Sequence, residues 1–420
     1  MTLVATTFKV LANYERKSLG MPEMPMAIVP YPMGGVATEE AVRRALAALN
    51  EMITGLTVQP APAVTAKGKA GAGFDATMTL DDGSFDAVNR YFYDKRWGDG
   101  LPIVPPTQEL VQTMLRHTDL TPEKVLGKMG PSWNLTTVHH VAVNAVMAGC
   151  RPEYFPAVLA SVEAAGDPAY ELYGVNTTTN PTVPMIIMNG PARISLDVNC
   201  SWGVLGPNKR ANATIGRALS LAMINLAGRI PEVACKGTWK NPGGFTMCAG
   251  EYEEESPYEP LHVERGFAKE DSTVTLMTPA SCFNIVDTES QTAEELLQNI
   301  CAGMLGAGGN NIFPFYGLGE YAIMLSPGHA KVLATGFTKQ QIREFLLEHL
   351  KIPVSYVSPR RVKMMEAAGH GQIENGFVRY AAHAWQFLIF VAGGLGGYHS
   401  AGFTTFGDSR PITRKFTPVG

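Results

Sequence analysis

The stretch VPMIIMNGPA, residues 183–192, is a run of six apolar-rich positions stopped by Asn189, Gly190 and Pro191. Six residues is strand length rather than helix length, and Asn-Gly-Pro suits a chain leaving a buried strand into a turn. Thirteen residues further on begins LGPNKRANATIGRALSLAMINLAG (205–228), a Gly-Pro turn followed by small and apolar residues that predict a helix over Ala211–Leu226. Strand, turn and helix in that order form the unit of an α/β fold. The same alternation extends outward. Helices are expected over Thr136–Gly149, Pro152–Ala165, Thr292–Met304 and Thr338–Leu350, and strands over Thr273–Met277, Tyr321–Leu325 and Phe387–Val391. Uneven spacings favour an α/β fold with a mixed sheet and flanking helices over a regular doubly wound sheet, and no internal repeat shows at a fixed period.

Toward the N-terminus, MPMAIVPYP ending at Pro32 reads as a strand, and Thr38 to Ile53 as an amphipathic helix with Ala41, Ala45, Leu46, Leu49 and Ile53 on one face. Thr38 is placed to cap it, with Glu39 and Glu40 at its positive start. Residues 1–57 thus form a small N-terminal βα segment, too small to fold alone. Residues 58–78, rich in Ala, Pro and Gly, read as a linker. Residues 79–420 form the main α/β domain, with a division into two lobes expected near 250–270.

The chain has 420 residues, 45% hydrophobic and 17% charged, with a net charge of −4. That balance argues against a nucleic-acid partner. No apolar run approaches the ~18 to 20 residues that cross a bilayer, so no membrane partner is expected. The first residues lack a basic start followed by an apolar stretch, which makes the cytoplasm the expected location. Six cysteines are scattered without a CxxC pair, so reduced thiols are expected and no metal site is signalled. Glycine-dense loops and apolar content together suggest a homo-oligomer. The cofactor is left open.

Several stretches resemble a group of bacterial proteins related to, or encoded beside, the UGSC family of selenocysteine or cysteine proteins. They are Asp99-Gly100-Leu101-Pro102 to Thr107, NAVMAGCRPEYFP (144–156), MNGPA (188–192), LGPNKRANATIGRA (205–218) and EYEEESPYEPLHVERGF (251–267). The N-terminal segment with its Glu15-Arg16 pair and MPMAIVPYP is similar to the rear portion of UGSC proteins, but their (seleno)cysteine motif is absent, so its redox chemistry does not carry over. The resemblance implies a small-molecule enzyme-like architecture and supplies no reaction.

The candidate chemistry lies in five places. Arg210, Asn212, Thr214 and Arg217 gather around a helix start, where free N–H groups, the helix dipole and guanidinium forks favour an anion. Glu251 and Glu253, in a run of acidic residues, could share a face and act as general acid and base. Asn189, at a strand end, is placed to orient a substrate. Cys150, between two helices, is a possible nucleophile, and His399, after the glycine loop 393–397, a possible proton-transfer partner. The expected function is an enzyme acting on a small anionic metabolite by lyase or hydrolase chemistry. Its alternatives are a thiol-dependent enzyme using Cys150 and a non-catalytic ligand-binding subunit of a heteromeric system.

Overall fold

The computed structural model describes residues 1–31, 33, 36–57, 77–207, 209–308, 319–396 and 398–419. The expected linker therefore lies outside the described residues except for its last two positions. Near the N-terminus, β1 (Thr2–Ala5) and β2 (Met26–Val29) pair in parallel, with helices Lys9–Ser18, Thr38–Ala47 and Leu49–Thr57 around them. The helix expected from Thr38 to Ile53 is thus divided, and the dividing residue, Ala48, is buried. The hairpin of β3 (Val125–Met129) and β4 (Asn134–Thr137) carries Trp133, whose Nε1 donates to Glu15 Oε2 at 2.9 Å and ties the segment to the main body.

The main body is built on two four-stranded sheets. The first takes β5 (Met185–Asn189), β6 (Cys248–Gly250) and β7 (Ser272–Met277). The second begins with β8 (Cys282–Val286) and β9 (Tyr321–Leu325). A small antiparallel sheet of β10 (Lys351–Pro353), β11 (Ile373–Glu374) and β12 (Phe377–Arg379) intervenes. β13 (Phe387–Val391) and β14 (His399–Phe403) then complete the second sheet, and β15 (Ile412–Phe416) returns to the first. This is α/β with mixed sheets and flanking helices.

The two sheets share one topology. In the first, β5 runs parallel to β6 and antiparallel to β7, which is antiparallel to β15. In the second, β9 runs parallel to β13 and antiparallel to β14, which is antiparallel to β8. The fourth strands are exchanged: β8 follows β7 in the chain but joins the second sheet, and β15 follows β14 but joins the first. A cut near 250–270 leaves the second sheet whole and divides the first, with β5 and β6 before it and β7 and β15 after it.

Alternation along the strands fixes the layers. Ile186 and Met188 of β5, with Val274 and Leu276 of β7, face the helices Val138–Ala148, Phe155–Ala165 and Arg210–Asn225. Ile323 and Leu325 of β9, with Phe387, Ile389 and Val391 of β13, face Ala293–Gly308, Pro327–Ala334 and Lys339–His349. The remaining set, including Met185, Ile187, Ala249, Leu388, Phe390 and Phe403, forms a third core between the sheets. The order of layers is helix, sheet, sheet, helix, and apolar residues on both faces of β5 explain why its sequence runs hydrophobic without alternating.

Candidate functional site

The carboxyl ends of β5 and β6 lie side by side because the two strands are parallel, and the polar residues that follow them meet. Asn189 closes β5. Gly190 then takes φ +80°, and a Cβ there would overlap the Asp271 carbonyl, so the chain turns against the start of β7 as only glycine can. This turn aims the Gly190 N–H at Glu253 Oε1, 2.7 Å away. The same oxygen accepts from Asn189 Nδ2 at 3.0 Å and Arg193 Nε at 3.0 Å. Arg193, only 3% exposed, places Nη2 2.8 Å and Nη1 3.2 Å from the two carboxylate oxygens of Glu254.

Glu251, fully buried, shares the Asn189 amide with Glu253. Its Oε2 accepts from Asn189 Nδ2 at 2.6 Å and from the Leu261 backbone N–H at 2.8 Å. Val391 N–H approaches Oε1 at 3.4 Å, which brings the end of β13 to the same point. Burial raises the Glu251 pKa above the ordinary carboxylate value, against the opposing pull of the Lys339 charge and the Asn189 and Leu261 donors. Glu254 moves the other way, because its hydrogen bonds to Arg193 favour the anion. Burial disfavours the Arg193 charge, but Glu254 hydrogen bonding and the Glu253 and Glu254 carboxylates outweigh it and raise the guanidinium pKa. Three successive acidic positions therefore have distinct surroundings.

The helix-start residues do other work in this conformation. Arg217 pairs with Asp99 through two contacts of 2.8 and 2.9 Å and donates to the carbonyls of Leu101 and Pro102. It holds the Gly-Leu-Pro loop against the helix Arg210–Asn225. Arg210 Nε donates to Gly149 O at 2.9 Å, and Thr214 Oγ1 donates back to Arg210 O. Asn212 accepts from Asn199 N at 2.7 Å and donates to Asn199 O and Cys248 O. It braces the loop after Asn199 against β6, so its connection with the carboxylates is indirect. Asn189, Glu251 and Glu253 are brought together; Arg210, Thr214 and Arg217 are not part of that contact set.

Cys150 is buried, and its Sγ donates to Thr214 O at 3.3 Å. Burial pushes its thiol up to about 12, as it does that of Cys248. The thiolate is the reactive form. Native protein at neutral pH should therefore leave Cys150 unmodified by iodoacetamide while the same residue labels fully in urea, read by peptide mass spectrometry. Rapid labelling of Cys150 in the folded chain would restore its candidacy. His399 is exposed, with Nδ1 3.0 Å from Asn284 Oδ1.

Two participants escaped the sequence reading. Arg193 follows the strand in MNGPAR and had a signal, since it stands four residues past a strand end. Cys200 had none: its Sγ lies 3.8 Å from Arg193 Nη1, and its carbonyl accepts from Gly393 N at 2.9 Å, contacts that only the folded chain creates. A cleft of about 330 Å³ lies elsewhere, between residues 3–12 of the N-terminal segment and Tyr173 and Thr177; its lining holds no carboxylate, so it is not the place for the chemistry of Glu251. Among the described residues there is no group of three His, Cys, Asp or Glu side chains able to hold a metal, and no helix long and apolar enough to cross a membrane.

No curated protein matches the chain. Residues 1–58 match the family model of the UGSC family, so the segment that holds the β1–β2 unit and its helices is similar to UGSC proteins.

Proposed function

We propose that the chain is an enzyme that transfers protons at the Glu251–Asn189–Glu253 cluster, of the lyase or hydrolase kind, on a small anionic metabolite. The observation that carries this reading is one buried carboxyl with a raised pKa sharing an amide donor with a second carboxyl, beside a third whose pKa is lowered. Glu251, buried and holding its proton, and Glu253, with one oxygen held by three donors, take the two roles of acid and base within one site. Glu251 keeps its proton to higher pH than an ordinary carboxyl and supplies it. Glu253, aimed by Asn189, Gly190 and Arg193, receives one. Arg193 is the cation of the site, and Glu254, 51% exposed on its side chain, occupies the outer edge of the guanidinium. An incoming carboxylate takes that edge by replacing Glu254, a swap of one fork partner for another.

The test is proton exchange in deuterated water, followed by proton NMR over a panel of small mono- and dicarboxylates. At least one should exchange or turn over with the intact protein, and Glu253→Gln should slow it about 100-fold, the usual scale for a displaced acid or base. A panel wholly inert with the wild type, or rates untouched in both Glu253→Gln and Glu251→Gln, overturns the reading.

A further inference from the structure

Two residues after Cys200, whose sulfur touches Arg193, stands Trp202, 63% exposed despite being among the largest apolar side chains in the protein. Its position is not that of a loose surface residue. Asn199 Nδ2 donates to Trp202 O at 2.9 Å, and Asn199 is itself held at both backbone polar atoms by the buried amide of Asn212. One face of the indole lies on the backbone of Gly394, where any Cβ would overlap the ring, and its far edge reaches Gly396. The loop after β13 thus needs glycine at 394 because the ring rests there. The connection to the site is short: Cys200, two residues before Trp202, is bonded through its carbonyl to Gly393 and touches Arg193 through its sulfur. Two residues before Gly393, Val391 accepts from Tyr252 N and offers its own N–H to Glu251.

From this geometry we infer that Trp202 is a specificity-determining platform for the proposed site, and that the substrate carries a planar unsaturated or aromatic group that stacks on the open face of the indole. A Trp braced from behind is a preorganised surface. Little conformational freedom is lost when a ring settles on it, and offset stacking adds to the area buried. A saturated chain of the same size gains burial but not the stacking term. The inference takes its location from the acid/base reading. Its test uses neutral probes and measures binding without turnover, so the two fail separately.

The probes are benzamide and cyclohexanecarboxamide, equal in charge and polar group and different in planarity. On nitrogen-15-labelled protein, benzamide is expected to shift the Trp202 indole N–H resonance and to bind about tenfold more tightly than the saturated amide. Trp202→Ala should erase that difference, while Trp202→Phe should retain most of it. Gly394→Ala, which displaces the indole from its support, should weaken benzamide binding without touching the ring itself. Circular dichroism and the unfolding midpoint establish that each variant is folded, and the resonance shift in the wild type needs no variant. Equal binding of the two amides, or benzamide affinity unchanged in Trp202→Ala, overturns the platform. So does a Trp202→Ala variant that changes only the oligomeric state by light scattering, which would assign the open face to a second copy of the chain.

Discussion

Arg217→Ala is expected to destabilise the fold by at least about 3 kcal/mol, because it leaves a charge buried without its partner. Asp99 is only 5% exposed on its side chain and Arg217 15%. The same guanidinium also satisfies two loop carbonyls, Leu101 and Pro102. Removing it strands an anion and releases the loop that closes over the helix Arg210–Asn225. Urea unfolding gives the measure: a large fall in midpoint for Arg217→Ala and for Asp99→Ala, with the double variant much less destabilised than the two singles added. Turnover per folded molecule should hold. A wild-type midpoint combined with lost activity would instead return Arg217 to the substrate, as its place near a helix start suggests from sequence alone.

Glu251→Gln should reduce any proton-transfer rate by about 100- to 10,000-fold, since the amide preserves the shape of the buried group and removes its proton chemistry. It should also change how stability depends on pH. The folded-state pKa of Glu251 is raised above the ordinary value of 4.5, so between those two values the native state binds more protons than the unfolded chain. Stability carried by this carboxyl is therefore fully present below its unfolded value and is lost as pH rises through its folded value. Glu251→Gln lacks that decline. Urea midpoints from pH 4.5 to 7.5 should fall more steeply for the wild type than for the variant, and parallel profiles would show that burial does not raise the Glu251 pKa.

The fold class was legible because buried strands and amphipathic helices leave local traces. VPMIIM became β5 with its end displaced by one residue to Asn189, and YAIML and FLIFV became β9 and β13. The pairing of sheets was not legible. Two copies of one topology stand face to face without a sequence period, since what repeats is strand direction and order, and nothing in a β-strand records which edge it joins. The exchange of β8 and β15 between sheets is a long-range choice of the same kind.

The candidate site divides along a similar line. Asn189 could be named because a polar group just beyond a buried strand is a local signal, and Glu251 and Glu253 because they stand in a run of acidic residues. The partners of the arginines could not. Arg210 and Arg217 have the chemistry of anion ligands, yet their nearest acceptors come from Gly149 and from Asp99, 61 and 118 residues away in the chain. By itself the sequence determined the α/β class, four of the eight strands of the two main sheets and the polar residue that closes β5, because these depend on neighbours a few positions apart. Only the tertiary structure decided which charges are spent on the fold and which face one another, because a charge is satisfied by whatever lies within hydrogen-bonding reach, regardless of its distance along the chain.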